Sequence, residues 1–191
     1  RNRETSEGPM RTFFGILAAM AIAAPLCAAS ADTVRKLEDY PKVVGLAGVT
    51  DGDTIRMAKA VATQNGKSKE MTGVRIRFHG IDAPEKGQTC EDASGEQSFC
   101  GHDATKAMSE IIRGKEVTCY VLDVDRYGRL VSICSVAGVP DINGDLVKRG
   151  LAVAYRTYST DYVDEEEAAR AGRAGMWAGT FEMPWDWRKT H

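Results

Sequence analysis

Val74-Arg75-Ile76-Arg77-Phe78-His79-Gly80-Ile81-Asp82-Ala83-Pro84-Glu85 alternates apolar and charged side chains, reaches a glycine, and then releases two carboxylates around a proline. Alternation puts Val74, Ile76 and Phe78 on one face of a strand and Arg75, Arg77 and His79 on the other. One face is core and the other is charged. The pattern predicts a strand over residues 70–81. Pro84 fixes its own φ and so sets the exit, bringing Asp82 and Glu85 out close together.

Upstream, residues 43–49 and 53–61 read as strands paired around Thr50-Asp51-Gly52. Downstream, the β-branched-rich runs 117–125 and 129–136 flank Asp125-Arg126-Tyr127-Gly128 and predict a hairpin with Arg126 and Tyr127 as its loop. Helical spacing runs through Ala104, Ala107, Met108 and Ile111 over residues 102–113 and stops at Gly114. A short helix is expected over 142–149 before Gly150, and a polar one over 162–174, with Glu165-Glu166-Glu167 as a solvated face. Trp177, Phe181, Trp185 and Trp187 are expected to fasten the C-terminal segment to the body. Five strands with about three helices give an α+β, mainly β chain, built as a five-stranded Greek-key barrel of the OB type.

The composition is that of an ordinary globular domain, with 43% hydrophobic and 27% charged residues and a net charge of −2. Collagen-like, low-complexity and wholly disordered chains are thereby excluded. Residues 1–31 stand apart as an N-terminal extension and secretory signal: Arg11, an apolar stretch over 13–24, and the small-residue pattern Ala29-Ser30-Ala31. The stretch is too short to span a bilayer as a helix. Cleavage is expected near Asp32, leaving residues 32–191 as a single domain. Removing three basic and two acidic side chains from 25 and 27 leaves 22 and 25, a net charge of −3, so no broad basic surface is expected.

Four cysteines remain after cleavage. An even number in an exported chain reads as two disulfides. The hairpin register sets Cys119 opposite Cys134, which leaves Cys90 to close a loop with Cys100. A zinc site using these cysteines with His102 is the competing reading, and it lacks any C-x-x-C pair.

Asp51-Gly52-Asp53-Thr54, the spacing from Arg77 through Asp82 to Glu85, Tyr127-Gly128-Arg129, and Gly150-Leu151-Ala152-Val153-Ala154-Tyr155 follow one another in order. In that order and spacing the chain resembles the staphylococcal nuclease (thermonuclease) family over most of residues 43–177. The resemblance implies a calcium-dependent endonuclease that hydrolyses phosphodiester bonds of DNA or RNA and leaves 3′-phosphate ends. It implies Asp53, Asp82 and the main-chain carbonyl of Ala83 as calcium ligands, Glu85 as general base, and Arg77 and Arg129 as phosphate clamps. Tyr127 and Tyr155 match residues near the bound nucleotide. The family commonly has Thr at the position of Ala83, and a carbonyl ligand tolerates that change.

These residue types suit the chemistry. In-line attack on a phosphodiester gathers negative charge on equatorial oxygens, which bidentate guanidiniums stabilise. Two carboxylates held together call for a cation, and a hard, oxygen-seeking ion such as Ca2+ suits them. The product is expected to be a secreted or periplasmic monomer acting on nucleic acid, with no stable membrane association once the signal is removed. An alternative reading is a non-catalytic OB module binding oligonucleotide or oligosaccharide in envelope polysaccharide metabolism. A glycoside hydrolase using Asp82 and Glu85 is disfavoured, because a neutral sugar offers paired arginines no anion.

Overall fold

In the computed structural model, which describes residues 36–191, the alternating stretch is the inner wall of a barrel: Val74, Ile76 and Phe78 are buried while Arg75 is exposed. Strands β1 (Lys42–Asp51), β2 (Thr54–Gln64) and β3 (Lys67–Phe78) form an antiparallel meander. Two residues of turn then separate β3 from the short β4 (Ile81–Asp82), so the third strand ends earlier than the alternation predicts. A two-stranded ribbon of β5 (Cys90–Glu91) and β6 (Gln97–Ser98) leads into helix α1 (Cys100–Ile112). Strands β7 (Glu116–Val124) and β8 (Leu130–Ser135) follow, then α2 (Ile142–Lys148), β9 (Val153–Ala154), α3 (Val163–Ala171) and α4 (Pro184–Thr190).

The barrel closes in the order β1-β2-β3-β8-β7. Only β3 and β8 pair in parallel, through Ile76–Leu130, Arg77–Val131 and Phe78–Ser132. The core joins Ile55, Met57, Ile76 and Phe78 of the barrel to Met108 and Ile112 of α1 and Leu146 of α2. The spacing that predicted α1 is the face it buries: Ala104, Ala107, Met108 and Ile111 are all buried. Asp141 caps α2 by accepting from the Gly144 N–H at 3.1 Å, which satisfies one of the free donors of the first turn.

Both disulfides form as expected, Cys90–Cys100 and Cys119–Cys134, so these cysteines offer zinc no thiolate. Cys119 and Cys134 face each other across β7 and β8, yet the hairpin tip is not the two-residue loop of the sequence reading. A register shift between Val121 and Asp123 adds one residue to β7, and Asp125 pairs with Arg129 across the three-residue loop Arg126-Tyr127-Gly128. Gly128 supplies the positive φ that such a loop requires.

One further expectation is corrected. Glu166 is not solvated: it is 1% exposed and reaches from α3 to β9. Its Oε2 accepts the Ala154 N–H at 2.7 Å, and its carboxylate pairs with Arg156 and Arg170. The aromatic C-terminus does fasten to the body, through a second cluster in which Trp177, Phe181, Met183 and Trp185 pack around Cys90, Cys100, Val153 and Met176. It also contributes a fourth helix, α4, one more than the sequence reading assigned. The N-terminal signal and its cleavage site lie outside the described residues. Among the described residues no helix is long and apolar enough to cross a membrane.

Candidate active site

The turn between β1 and β2 places the first carboxylate. Asp53 Oδ2 accepts the Ala83 N–H at 2.8 Å, and Oδ1 accepts the Thr54 hydroxyl at 3.1 Å. Gly52 makes that approach possible: a Cβ there would lie 2.7 Å from the Ala83 methyl and 2.9 Å from that of Ala104. The second carboxylate, Asp82, is on β4, held in place because β4 pairs with β9 through Ile81–Ala154 and Asp82–Val153. Its side chain is completely buried.

Arg77, from β3, joins the two. Its Nη1 pairs with Asp53 Oδ2 and its Nη2 with Asp82 Oδ1, the latter at 2.8 Å. Burial pushes the Asp53 carboxyl up, but the Arg77 guanidinium and the Ala83 N–H outweigh it and hold the group below the ordinary carboxylate range. Asp82 goes the other way: burial dominates and keeps its pKa raised despite two neighbouring arginines. Asp51, buried beside the charge of Asp53, is pushed up to about 7.

Above this base lies a cleft of about 920 Å³. Asp51, Asp53, Arg77, Glu85, Tyr127, Arg129 and Tyr155 all line it, so the two arginines expected as clamps, the carboxylate expected as base and one expected ligand share one space. Arg129 comes from the hairpin tip, where Asp125 accepts its Nε–H at 2.7 Å and its backbone N–H at 2.9 Å, aiming the guanidinium. Burial opposes ionisation of Asp125, but these bonds from Arg129 prevail and lower its pKa. Tyr127 is exposed and lies beneath the guanidiniums of Arg126 and Arg129. Tyr155 serves the cleft and the packing at once, its ring stacked on Trp185 at 5.3 Å.

Asp82 and Ala83 do not reach the cleft wall; they lie beneath it, and the arginines cover Asp82. Sequence reasoning missed the residue that does most of the covering. Arg188, on α4, donates to Asp82 Oδ2 at 2.7 Å and to Glu85 Oε1 at 2.8 Å. It also missed Gln88, fully buried, whose side chain accepts the Glu85 N–H and donates to the Glu182 carbonyl at 2.7 Å. Neither carries a local signal, since each acts on a partner remote in sequence or hidden in a loop.

The sequence profile of the staphylococcal nuclease homologue family matches residues 75–179, more than half of the chain. The chain belongs to that family. The matched stretch of this staphylococcal nuclease homologue contains Arg77, Asp82, Glu85, Arg129 and Tyr155, while Asp53 is supplied by the turn between β1 and β2 ahead of it. Among its relatives is a succinoglycan biosynthesis protein of Rhizobium meliloti, 32% identical over 71% of this chain and 64% of that one. A probable staphylococcal-like nuclease of Oryza sativa is 32% identical over 85% of this chain and 46% of the relative. An uncharacterized endonuclease of Escherichia coli O157:H7 is 32% identical over 73% of this chain and 80% of the relative. The chain therefore spans under two thirds of the first two of these proteins.

Proposed function

We propose that this chain is a calcium-dependent endonuclease, cutting DNA or RNA to leave 3′-phosphate ends, and that it works as a secreted or periplasmic monomer. The observation that carries this reading is the convergence of Arg77, Glu85 and Arg129 on one cleft whose base holds Asp53. A module that only bound oligomers would have no use for a carboxylate set between two phosphate-binding arginines. The two disulfides accord with an oxidising compartment.

The donor set suits a hard cation. Asp53, Asp82 and the carbonyl of Ala83 offer oxygen only, and the bond from Ala83 N–H to Asp53 Oδ2 keeps that carboxylate beside the Ala83 peptide. Among the described residues no group of three or more His, Cys, Asp or Glu side chains is arranged to hold a metal. Two carboxylates and a carbonyl leave the remaining positions of a six- to eight-coordinate ion to water and substrate phosphate. Bound there, calcium would supply positive charge to a phosphoryl oxygen.

The chain's own groups do the rest. Arg77 and Arg129 receive the equatorial oxygens of the scissile phosphate and are pre-aimed by their carboxylate partners, so little reorganisation is needed as charge builds. Glu85 orients the attacking water and takes its proton. The water oxygen bonds to phosphorus as the bond to the 5′ oxygen breaks; the 5′ oxygen keeps that electron pair, takes a proton from solvent and leaves as a hydroxyl, and the phosphate stays on the 3′ side.

The relative named for succinoglycan biosynthesis supports a second reading, a binding module in polysaccharide metabolism. Digestion of single- and double-stranded nucleic acid in calcium against chelator separates the two. The nuclease reading expects calcium-dependent cleavage that falls by orders of magnitude in Arg77→Lys, which keeps charge and loses the planar fork, and in Glu85→Gln. Wild-type turnover in both variants would refute these residue assignments, and a wild type that cleaves nothing in calcium would leave the binding module as the better account.

A further inference from the structure

We infer that Arg188 is a resident counter-ion that competes with the divalent cation for Asp82 while also holding Glu85, and so sets the metal affinity of the site. This rests on the reading of Asp82 as a calcium ligand. Both oxygens of Asp82 are taken by guanidinium: Oδ1 by Arg77 at 2.8 Å and Arg188 at 3.1 Å, Oδ2 by Arg188 alone at 2.7 Å. The same Nη1 of Arg188 reaches Glu85 Oε1 at 2.8 Å. One positive group thus bridges the proposed ligand and the proposed base and covers the carboxylate that the cleft does not reach.

A calcium ion on Asp82 would sit within about 2.3–2.6 Å of its oxygen. A guanidinium that holds the same oxygen at hydrogen-bond distance opposes that approach, by like-charge repulsion and by occupying one of the oxygen's lone pairs. Arg77 differs in kind, because it is almost enclosed and engages Asp53 as well, whereas 37% of the Arg188 side chain is exposed at the cleft mouth. Arg188 is the partner free to leave.

The surroundings fix how firmly it is presented. Gln88 ties the backbone of Glu85 to the carbonyl of Glu182, two residues before α4. Thr180 and Glu91 exchange backbone bonds at 2.8 and 3.1 Å, fastening the same segment beside the Cys90–Cys100 loop. Trp185 then stacks on Tyr155, one turn before Arg188 on α4. The arginine is therefore delivered by a braced segment rather than by a loose tail.

The test is calorimetric titration of calcium chloride into the full chain, in wild type, Arg188→Gln and Arg188→Lys, without nucleic acid. Removing the competitor should tighten calcium binding at least tenfold in Arg188→Gln, about 1.4 kcal/mol. Arg188→Lys, which keeps the charge but loses the planar fork that holds both oxygens of Asp82, should fall between. Thermal melts of each variant confirm that the titrated protein is folded. A residue that merely braced the site would weaken binding when removed, so tightening is the discriminating sign. If wild type binds calcium and Arg188→Gln binds it equally or more weakly, the competition is refuted while the calcium site stands. If neither protein binds calcium, the proposed metal site itself fails, and this inference with it.

Discussion

Replacing Glu166 by alanine should destabilise the protein out of proportion to its place in a run of three glutamates. The side chain is 2% exposed, and its Oε2 is the acceptor for the Ala154 N–H at 2.7 Å. Alanine leaves that donor buried without a partner, which costs about 1–3 kcal/mol. The lost pairs with Arg156 and Arg170 add little, since those side chains are 48% and 58% exposed and solvent screens them; each is worth about 0–1 kcal/mol. The total is about 1–5 kcal/mol, or a fall in Tm of about 2–20 °C for a domain of this size. Glu166→Gln retains an acceptor for Ala154 and should lose about 1 kcal/mol. Urea denaturation with far-UV detection, run on both variants, measures the difference. The damage should reach the cleft as well, because Ala154 pairs with Ile81, next to Asp82. A Glu166→Ala variant within about 0.5 kcal/mol of wild type would refute this account of the buried carboxylate.

Gly101→Ala should impair the site by displacing the backbone of Glu85, because the new Cβ would lie 1.7 Å from the Glu85 carbonyl oxygen; the proposed nuclease assay should register a loss of turnover larger than the loss of stability in melts. Asp141→Asn keeps an acceptor for the Gly144 N–H and removes a charge whose pKa burial holds above 3.8. The folded form holds that proton more tightly than the unfolded one, so its contribution is full in acid and is lost as pH rises through the raised value. The melting temperature of Asp141→Asn relative to wild type should accordingly rise as pH is increased above 3.8. Cys90→Ser with Cys100→Ser removes a bridge with a sequence separation of 10, which should cost about 3 kcal/mol in chemical denaturation.

The barrel and most of the cleft were legible because they rest on local rules. Alternation marked β3, β-branched runs around a turn marked β7 and β8, and the cysteine register was correct even though the loop between those strands is one residue longer. The bulge near Asp123 escaped notice because an inserted residue in a strand leaves the far end of the ladder in register. Glu166 was misread because a run of acids looks solvated unless the arginines and the amide that converge on it are known. Arg188 meets Asp82 across a separation of 106 residues, and no periodicity in Trp185-Asp186-Trp187-Arg188 announces such a contact.

The parallel join between β3 and β8 is only three residue pairs long, and its middle residue is Arg77. Every other ladder of the barrel is longer. Local opening of a closed sheet begins where the fewest amides hold it, so this seam is the place where the wall parts first. Amide hydrogen exchange at His79, which donates to the Ser132 carbonyl, should then report when this seam parts, while the pairing of Thr54 with Arg77 and the bond from Phe78 N–H to the Asp53 carbonyl keep the arginine beside its first carboxylate: the wall can breathe toward the hairpin that carries Arg129 without dismantling the base of the site.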